Sequence, residues 1–158
     1  MLNFFKKDKI IEIKAPVRGE AVDLSVVTDP VFADKMVGDG LAFKPEEGVL
    51  YAPVDGEVVQ VFPTKHALGL RTKEGLEVLI HIGIDTVEMR GEGFTSFVEP
   101  KQWVKAGDKL LEFDLELIAA KGKSTLSPLV IANMPVVKEL KSCLGPVTPR
   151  TTVIKVKL

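Results

Sequence analysis

A repeated eight-residue motif is the feature that most constrains the fold of this chain. Residues 15–22 read A-P-V-R-G-E-A-V and residues 52–59 read A-P-V-D-G-E-V-V, so six of the eight positions are identical. Each copy fits a strand, a turn whose glycine is free to take a positive φ, and a second strand. Two hairpin units of one kind predict a duplicated β architecture.

The rest of the chain is also patterned for strands. Short apolar runs rich in β-branched residues recur between Gly, Pro and Asp residues. These runs are 10–13, 49–54, 58–62, 76–84, 109–113 and 152–158. Helical signals are few and short, and they cover 30–36, 114–121 and 135–141. We therefore expect an all-β fold, a duplicated antiparallel β sandwich or flattened barrel with a few short helices.

Length and composition fit one globular domain. Of the 158 residues, 46% are hydrophobic and 27% are charged, which is ordinary for a soluble protein. We assign residues 10–158 to a single domain and residues 1–9 to a flexible N-terminal segment. A formal net charge of −1 provides no basic field, so we expect no nucleic-acid partner.

Cysteine usage and hydropathy favour the cytoplasm. The single cysteine, Cys143, cannot form an internal disulfide, which indicates a reducing compartment. No apolar stretch is long enough to span a bilayer, and the first residues lack the apolar core of a secretory signal. Residues 1–9 mix Leu and Phe with Lys, so we expect at most weak contact with an anionic membrane surface there. The initiator methionine and a last strand near the C-terminus favour a free protein over a piece of a larger one.

His66 and His81, the only histidines in the chain, are the first candidates for chemistry. A neutral imidazole is nucleophilic and proton-accepting near pH 7, so a histidine in an aliphatic strand such as 78–85 indicates a nucleophile or a metal ligand. The two positions suit neighbouring antiparallel strands joined near 71–75, where the imidazoles can meet face to face. The alternative is a buried structural histidine that only satisfies its hydrogen bonds.

Two polar residues fit roles beside the imidazoles. Thr64 lies two residues before His66, on the same face of a strand, and its hydroxyl can bond a ring nitrogen and fix the tautomer. Asp85 lies four residues after His81 and can orient an imidazole or meet a cationic partner. Both also fit structural roles, Thr64 as a strand residue and Asp85 as a turn residue.

Motifs for hydrolytic chemistry do not occur in the sequence. A catalytic zinc usually takes three protein ligands, and this chain has two histidines with neither H-x-H nor H-E-x-x-H, so a carboxylate would have to complete the site. No G-x-S-x-G elbow indicates a serine nucleophile. Covalent carriage of a group on one imidazole needs only a neutral nitrogen, donors for the incoming anion and a second histidine. We expect neither a metal nor a cofactor for such a carrier.

Several segments resemble one known family. They read V-F-A-D-K-M-V-G-D-G at 31–40, T-K-H-A at 64–67, V-L-I-H-I-G-I-D-T-V at 78–87, G-E-G-F at 91–94 and F-D-L at 113–115. In this order they closely resemble the glucose-specific IIA family of the bacterial phosphoenolpyruvate-dependent sugar phosphotransferase system. The resemblance implies a duplicated β sandwich and a phosphocarrier. Such a carrier accepts a phosphoryl group from the histidine-containing carrier protein and passes it to a cysteine on a IIB domain of a sugar permease.

The resemblance also implies roles for individual residues. His81 is implied to be the phosphorylated histidine, His66 its active-site companion, and Thr64 the hydrogen-bond partner of His66. An apolar ring and acidic groups that face basic partners are implied at Asp29, Val31, Phe32, Val37, Phe62, Leu79 and Asp85. We expect Phe32, Val37 and Leu79 to form an exposed apolar patch around the histidines.

Two other functions stay open on the sequence. One is a regulatory binding module that signals carbohydrate status to other proteins through the same surface. The other is a metallohydrolase on a related duplicated β scaffold.

Overall fold

Short strands with tight connections build residues 9–158, the part of the chain that this computed structural model describes. The expected segment 1–9 lies outside the described residues except for Lys9. The strands are β1 Ile10–Lys14, β2 Gly19–Asp23, β3 Asp39–Pro45, β4 Val49–Tyr51, β5 Gly56–Val61, β6 Ala67–Arg71, β7 Glu77–His81, β8 Phe94–Ser96, β9 Trp103–Val104, β10 Lys109–Phe113, β11 Ser127–Ile131, β12 Glu139–Ser142, β13 Gly145–Val147 and β14 Thr152–Lys157. The helices are α1 Pro30–Ala33 and α2 Leu115–Ala120, with 3₁₀ turns at Leu24–Val26, Thr86–Met89 and Met134–Val136.

The strands form three antiparallel sheets. An eight-stranded sheet has the order β13-β2-β3-β11-β7-β6-β5-β9, and two three-stranded sheets have the orders β1-β14-β12 and β4-β10-β8. Each order has two free ends, so no sheet formed by the described residues closes into a barrel. The predicted all-β antiparallel fold is confirmed, and of the two expected forms it takes the sandwich. No helix among the described residues is both long and apolar enough to cross a membrane.

The duplicated motif is visible in the hydrogen bonding between its two copies. Lys14 N–H donates to the Pro53 carbonyl at 2.8 Å, and Tyr51 N–H donates to the Pro16 carbonyl at 2.7 Å. Lys14 and Tyr51 stand at equivalent positions just before the two copies, as Pro16 and Pro53 do within them. The two copies are therefore joined by two equivalent backbone hydrogen bonds, one in each direction.

The motif glycines do not serve the turns that the sequence predicts for them. Gly19 and Gly56 are the first residues of β2 and β5. A Cβ on Gly19 would lie 1.9 Å from the Lys44 carbonyl oxygen, and one on Gly56 would lie 2.6 Å from that of Arg71. These positions need glycine because a neighbouring backbone passes too close for any side chain.

The main core lies between the sheets and unites their inward faces. Ile13 of β1, Phe43 of β3, Leu50 of β4 and Leu111 of β10 are all fully buried in one cluster. Each such side chain contributes roughly 1.5–3 kcal/mol by leaving water. This cluster holds the three sheets together.

A second, smaller core covers the other face of β3, β11 and β7. Side chains alternate along a strand, so Phe43 enters the main core while its neighbour Ala42 enters the second one. The buried members of the second core are Leu24, Val27, Phe32, Ala42, Ile84 and Val130. Since both faces of these strands are covered, their sequences read as continuous apolar runs.

One predicted helix is wrong. The segment 135–141 was expected to be helical, but a short 3₁₀ turn there is followed by β12. Glu139 pairs with Lys157 and Leu140 with Val156, so β12 extends the sheet of β1 and β14. Pairing with a neighbouring strand has overridden a weak local helix preference.

The close backbone contact at Gly56 predicts how two matched substitutions will differ. Gly56→Ala should lower the free energy of unfolding by about 1–3 kcal/mol, because its Cβ would meet the backbone of Arg71. Gly69→Ala in the paired strand β6 should change it by less than about 1 kcal/mol, because the nearest atom is a side-chain methyl of Val59 at 3.3 Å. Urea unfolding of both variants checks this, and equal losses would contradict the steric explanation.

Candidate active site

The pairing of β6 with β7 brings the two histidines together. His66 immediately precedes β6, and His81 is the last residue of β7. Ala67 pairs with His81, and Ile82 N–H donates to the His66 carbonyl at 2.7 Å. The ring centroids are 5.4 Å apart with an interplanar angle of 73°. The strands therefore place both imidazoles at the same sheet end, as the sequence predicts, but the rings meet edge to face and not face to face.

Thr64 bonds His66, but from a turn and not from a strand. Residues 62–66 connect β5 to β6 through a turn in which Lys65 has a φ of 59°. The Thr64 hydroxyl lies 2.5 Å from Nδ1 of His66. The expected contact is present. It engages Nδ1 of His66, so Thr64 leaves Nε2 of that ring unbonded.

Two phenylalanines pack edge-on against the imidazoles. The ring centroid of Phe32 lies 4.9 Å from that of His81, and the Phe62 centroid lies 5.4 Å from that of His66 and 5.9 Å from that of His81. The imidazoles thus stand in an apolar setting that limits their contact with water.

Phe32 does not form the exposed patch that was expected of it. It is only 6% exposed, because α1 begins with the Asp29 cap and Pro30 and turns Phe32 onto the second core. Val37 and Leu79 are half-buried against the same core. Exposed apolar side chains do occur on segments next to the site, at Val26, Val31, Met36 and Val87. Only Val31 of these was among the predicted residues.

The two predicted carboxylates differ in setting. Asp29 is half-buried and caps α1, where its carboxylate accepts the Val31 N–H at 2.9 Å. Asp85 is exposed in a left-handed conformation with a φ of 61°, and its side chain makes no cap bond. Asp29 is the carboxylate whose charge acts on His81, since it tends to raise the pKa of that imidazole.

Burial keeps both imidazoles neutral. It lowers the pKa of His81 to about 4, with a further lowering from His66 and a partial opposing effect from Asp29. Burial also lowers the pKa of His66. Near pH 7 each ring therefore has one nitrogen with a free electron pair, which is the form that a nucleophile or a hydrogen-bond acceptor needs.

The turn after His81 is bonded by two hydroxyls, of Ser127 and Thr86, whose part in the site the sequence did not indicate. Gly83 N–H donates to the hydroxyl of Ser127 at 3.1 Å, so this amide is already engaged inside the protein. The Thr86 hydroxyl donates to the carbonyl of Ile82. The Thr86 bond is local, four residues along the chain, whereas only the tertiary fold brings Ser127 to this turn.

A metal centre finds no support in the described residues. Within residues 9–158, no group of three or more His, Cys, Asp or Glu side chains could hold a metal ion. A catalytic zinc site would need such a set. The hydrolase alternative therefore has no geometric basis in this part of the chain.

Comparison with known proteins finds one family to which this chain is similar. The family model described as phosphoenolpyruvate-dependent sugar phosphotransferase system, EIIA 1, matches residues 11–137. The PTS system glucose-specific EIIA component of Bacillus cereus is 51% identical over 148 residues, which are 92% of this chain and 90% of that protein. The PTS system glucose-specific EIICBA component of Staphylococcus saprophyticus is 52% identical over 124 residues, 78% of this chain and 18% of that protein.

A solved structure is also similar to this chain. Glucose permease IIA from Mycoplasma capricolum superposes with a TM-score of 0.89 at 43% sequence identity. The match covers 93% of this chain and 96% of the other.

The buried imidazoles predict how stability depends on pH. The pKa of His81 falls from the ordinary value of 6.5 to about 4 on folding, so the unfolded chain binds more protons between these values. The contribution of neutral His81 to the free energy of unfolding is therefore fully present above pH 6.5 and is lost as the pH falls toward 4. Between about pH 7.5 and about pH 5, the parent should lose roughly 2 kcal/mol more than His81→Gln. Denaturant unfolding of both proteins at the two pH values checks this, and equal losses would contradict a buried neutral His81.

Proposed function

Because this chain belongs to the EIIA family of the phosphoenolpyruvate-dependent sugar phosphotransferase system, we propose that it is a cytoplasmic phosphocarrier with the phosphoryl group on His81. Residues 10–158 form the single carrier domain in this proposal. The observation that carries it is the pair of neutral imidazoles 5.4 Å apart at one sheet end. Within residues 9–158 the pair has no third side chain beside it to complete the ligand set of a catalytic zinc.

The chemistry is an exchange of one N–P bond for another. A ring nitrogen of neutral His81 uses its electron pair to attack the phosphorus of a phosphohistidine on the donor, the histidine-containing carrier protein. The new N–P bond forms on His81 as the donor's N–P bond breaks, and the donor imidazole leaves with its electron pair. No oxidant or cofactor enters the balance, because the nucleophile and the leaving group are of the same kind.

His66 stabilises the phosphoryl group during transfer. Its ring lies beside that of His81, and Thr64 holds it through Nδ1. An N–H of the His66 ring can then donate to a phosphoryl oxygen without bonding to phosphorus. Because the site is apolar, this hydrogen bond is stronger than it would be in water.

The acceptor in this proposal is a cysteine on the IIB domain of a sugar permease. Support comes from the match of this chain to 18% of a glucose-specific EIICBA component. Donor and acceptor visit the same surface in turn, with Val31 and the half-buried Val37, Phe62 and Leu79 as the apolar contacts. Asp29 and Asp85 attract basic side chains of both partners.

The two histidines should fail at different steps when they are replaced. His81→Gln should incorporate no acid-labile phosphate, because it lacks the nucleophile. His66→Gln should still accept phosphate but deliver it to a IIB domain at least about a hundredfold more slowly, because it lacks the donor for the phosphoryl group in flight. Labelled phosphoenolpyruvate with the general phosphotransferase enzymes and an isolated IIB domain measures both steps.

Two results would contradict these assignments. A fully phosphorylated His81→Gln protein would show that another residue carries the group. Equal delivery rates in His66→Gln and the parent would remove His66 from the transfer step. A parent that binds the carrier protein but never becomes phosphorylated would instead favour the regulatory binding module.

The exposed apolar contact predicts a docking defect without a folding defect. Val31 is 37% exposed, so Val31→Lys should leave the thermal unfolding midpoint nearly unchanged and weaken binding of the carrier protein about tenfold. Ile10→Lys is the matched control. Ile10 is 64% exposed on β1, which belongs to a different sheet from the strands β6 and β7 that position the histidines. Calorimetric titration of both variants checks this, and equal binding by the two would show that Val31 lies outside the interface.

The acidic edge should act mainly on the rate of association. Asp85 is exposed and makes no side-chain bond to the turn it precedes, so Asp85→Lys should slow association of the carrier protein most at low ionic strength. Stopped-flow binding at two salt concentrations measures the effect. A loss that is independent of salt would contradict a steering role.

A further inference from the structure

One peptide unit next to His81 is held on both of its polar groups by buried hydroxyls. The N–H of Gly83 donates to Oγ of Ser127 at 3.1 Å, and the carbonyl of Ile82 accepts a hydrogen bond from the Thr86 hydroxyl. These two groups belong to the same Ile82–Gly83 peptide. Ser127 and Thr86 are each only 1% exposed, so water cannot replace either of them in this structure.

The Ser127 hydroxyl is committed in both directions. It accepts from Gly83, and it donates to the Thr125 carbonyl at 3.0 Å. Ser127 is the first residue of β11, which pairs with β7 through Leu129 and Ile80. The hydroxyl therefore ties the segment that enters β11 to the segment that leaves β7 at His81.

This turn needs such ties because it has left the regular sheet ladder. Gly83 has a φ of 69°, and a Cβ there would lie 2.6 Å from the Ser124 carbonyl oxygen and 2.7 Å from Cγ2 of Thr86. Ile84 N–H reaches back to the Ser124 carbonyl at 3.1 Å. The backbone is therefore confined on several sides, and the two hydroxyls supply the partners that a strand neighbour would otherwise provide.

We propose that Ser127 and Thr86 are positioning residues that fix the His81 imidazole for phosphoryl transfer by holding the Ile82–Gly83 peptide. The proposal rests on the proposed function of His81. The β6 ladder and the bond from Ile82 N–H to the His66 carbonyl hold the backbone at His81, and the two hydroxyls hold the next peptide along the chain. The backbone is thereby held at His81 and directly after it. A displacement of the reacting group by about 1 Å can reduce the transfer rate about a hundredfold.

The test compares hydroxyl deletions at and away from the site. Ser127→Ala and Thr86→Val each remove one bond to the peptide, whereas Thr86→Ser keeps the hydroxyl. Ser96→Ala is the matched control, because Ser96 also accepts a backbone N–H and donates to a carbonyl, both of Val98, but lies on β8 in another sheet. The parent protein and all four variants are assayed as full chains.

Two readouts separate positioning from general stability. Single-turnover transfer from the phosphorylated carrier protein should slow at least about tenfold in Ser127→Ala and Thr86→Val, with the KM for the carrier changed by less than about twofold. Thr86→Ser and Ser96→Ala should transfer at the parental rate. In NMR titrations, the pKa of His81 should rise in the two deletion variants, because a loosened turn admits water to the ring.

Each outcome decides the proposal. Transfer rates and His81 titration in both Ser127→Ala and Thr86→Val that match those of Ser96→Ala would overturn it. If Ser127→Ala fails to fold, Thr86→Val against Thr86→Ser makes the same comparison at one position. If the parent itself carries no phosphate on His81, the proposed function fails, and the titration of His81 in the variants still tests the positioning.

Discussion

The pairing of β6 with β7 is the interaction on which the site depends. It places Ala67 opposite His81, and the bond from Ile82 N–H to the His66 carbonyl continues the pairing past the end of β7. Because side chains alternate between the two faces of a sheet, a slip of one residue would turn His81 into the main core and Ile80 out of it. The fully buried Ile80 opposes such a slip. Hydrophobic packing on one face of the sheet therefore sets the position of the His81 side chain on the other face.

The second core explains why the site has an apolar floor and not an exposed apolar patch. Phe32 connects the second core to the site, since it is buried with Ala42 and Val130 and also contacts the His81 ring edge-on. Near pH 7 the ring is neutral, so its burial avoids the large cost of burying a charge. The same burial lowers the pKa of His81 to about 4, so the packing of the ring also keeps it neutral, with an electron pair on one nitrogen, near pH 7.

Local sequence patterns account for the class of the fold and for the central pair of residues. The strand runs and the helical signal at 114–121 are local, and the structure agrees with both. Segment 135–141 could not be read locally, because β12 forms only against β14, whose partner residues are far along the chain. The motif glycines were assigned to turns for the same reason, since the backbone that excludes a side chain at Gly56 belongs to a different strand.

The site residues divide along the same line. His66, His81 and Thr64 follow from scarcity, spacing and a family resemblance, and the two contacts among them are near in sequence or follow from one hairpin. The burial of Phe32 and the role of Ser127 depend on β3 and β11, which contribute residues distant from the histidines in sequence. A phosphoryl group on His81 would add nearly two negative charges close to the half-buried Asp29. In the proposed transfer, His66 is neutral and stabilises the phosphoryl group through a ring N–H, so a compensating positive charge would have to come from basic side chains of the partner.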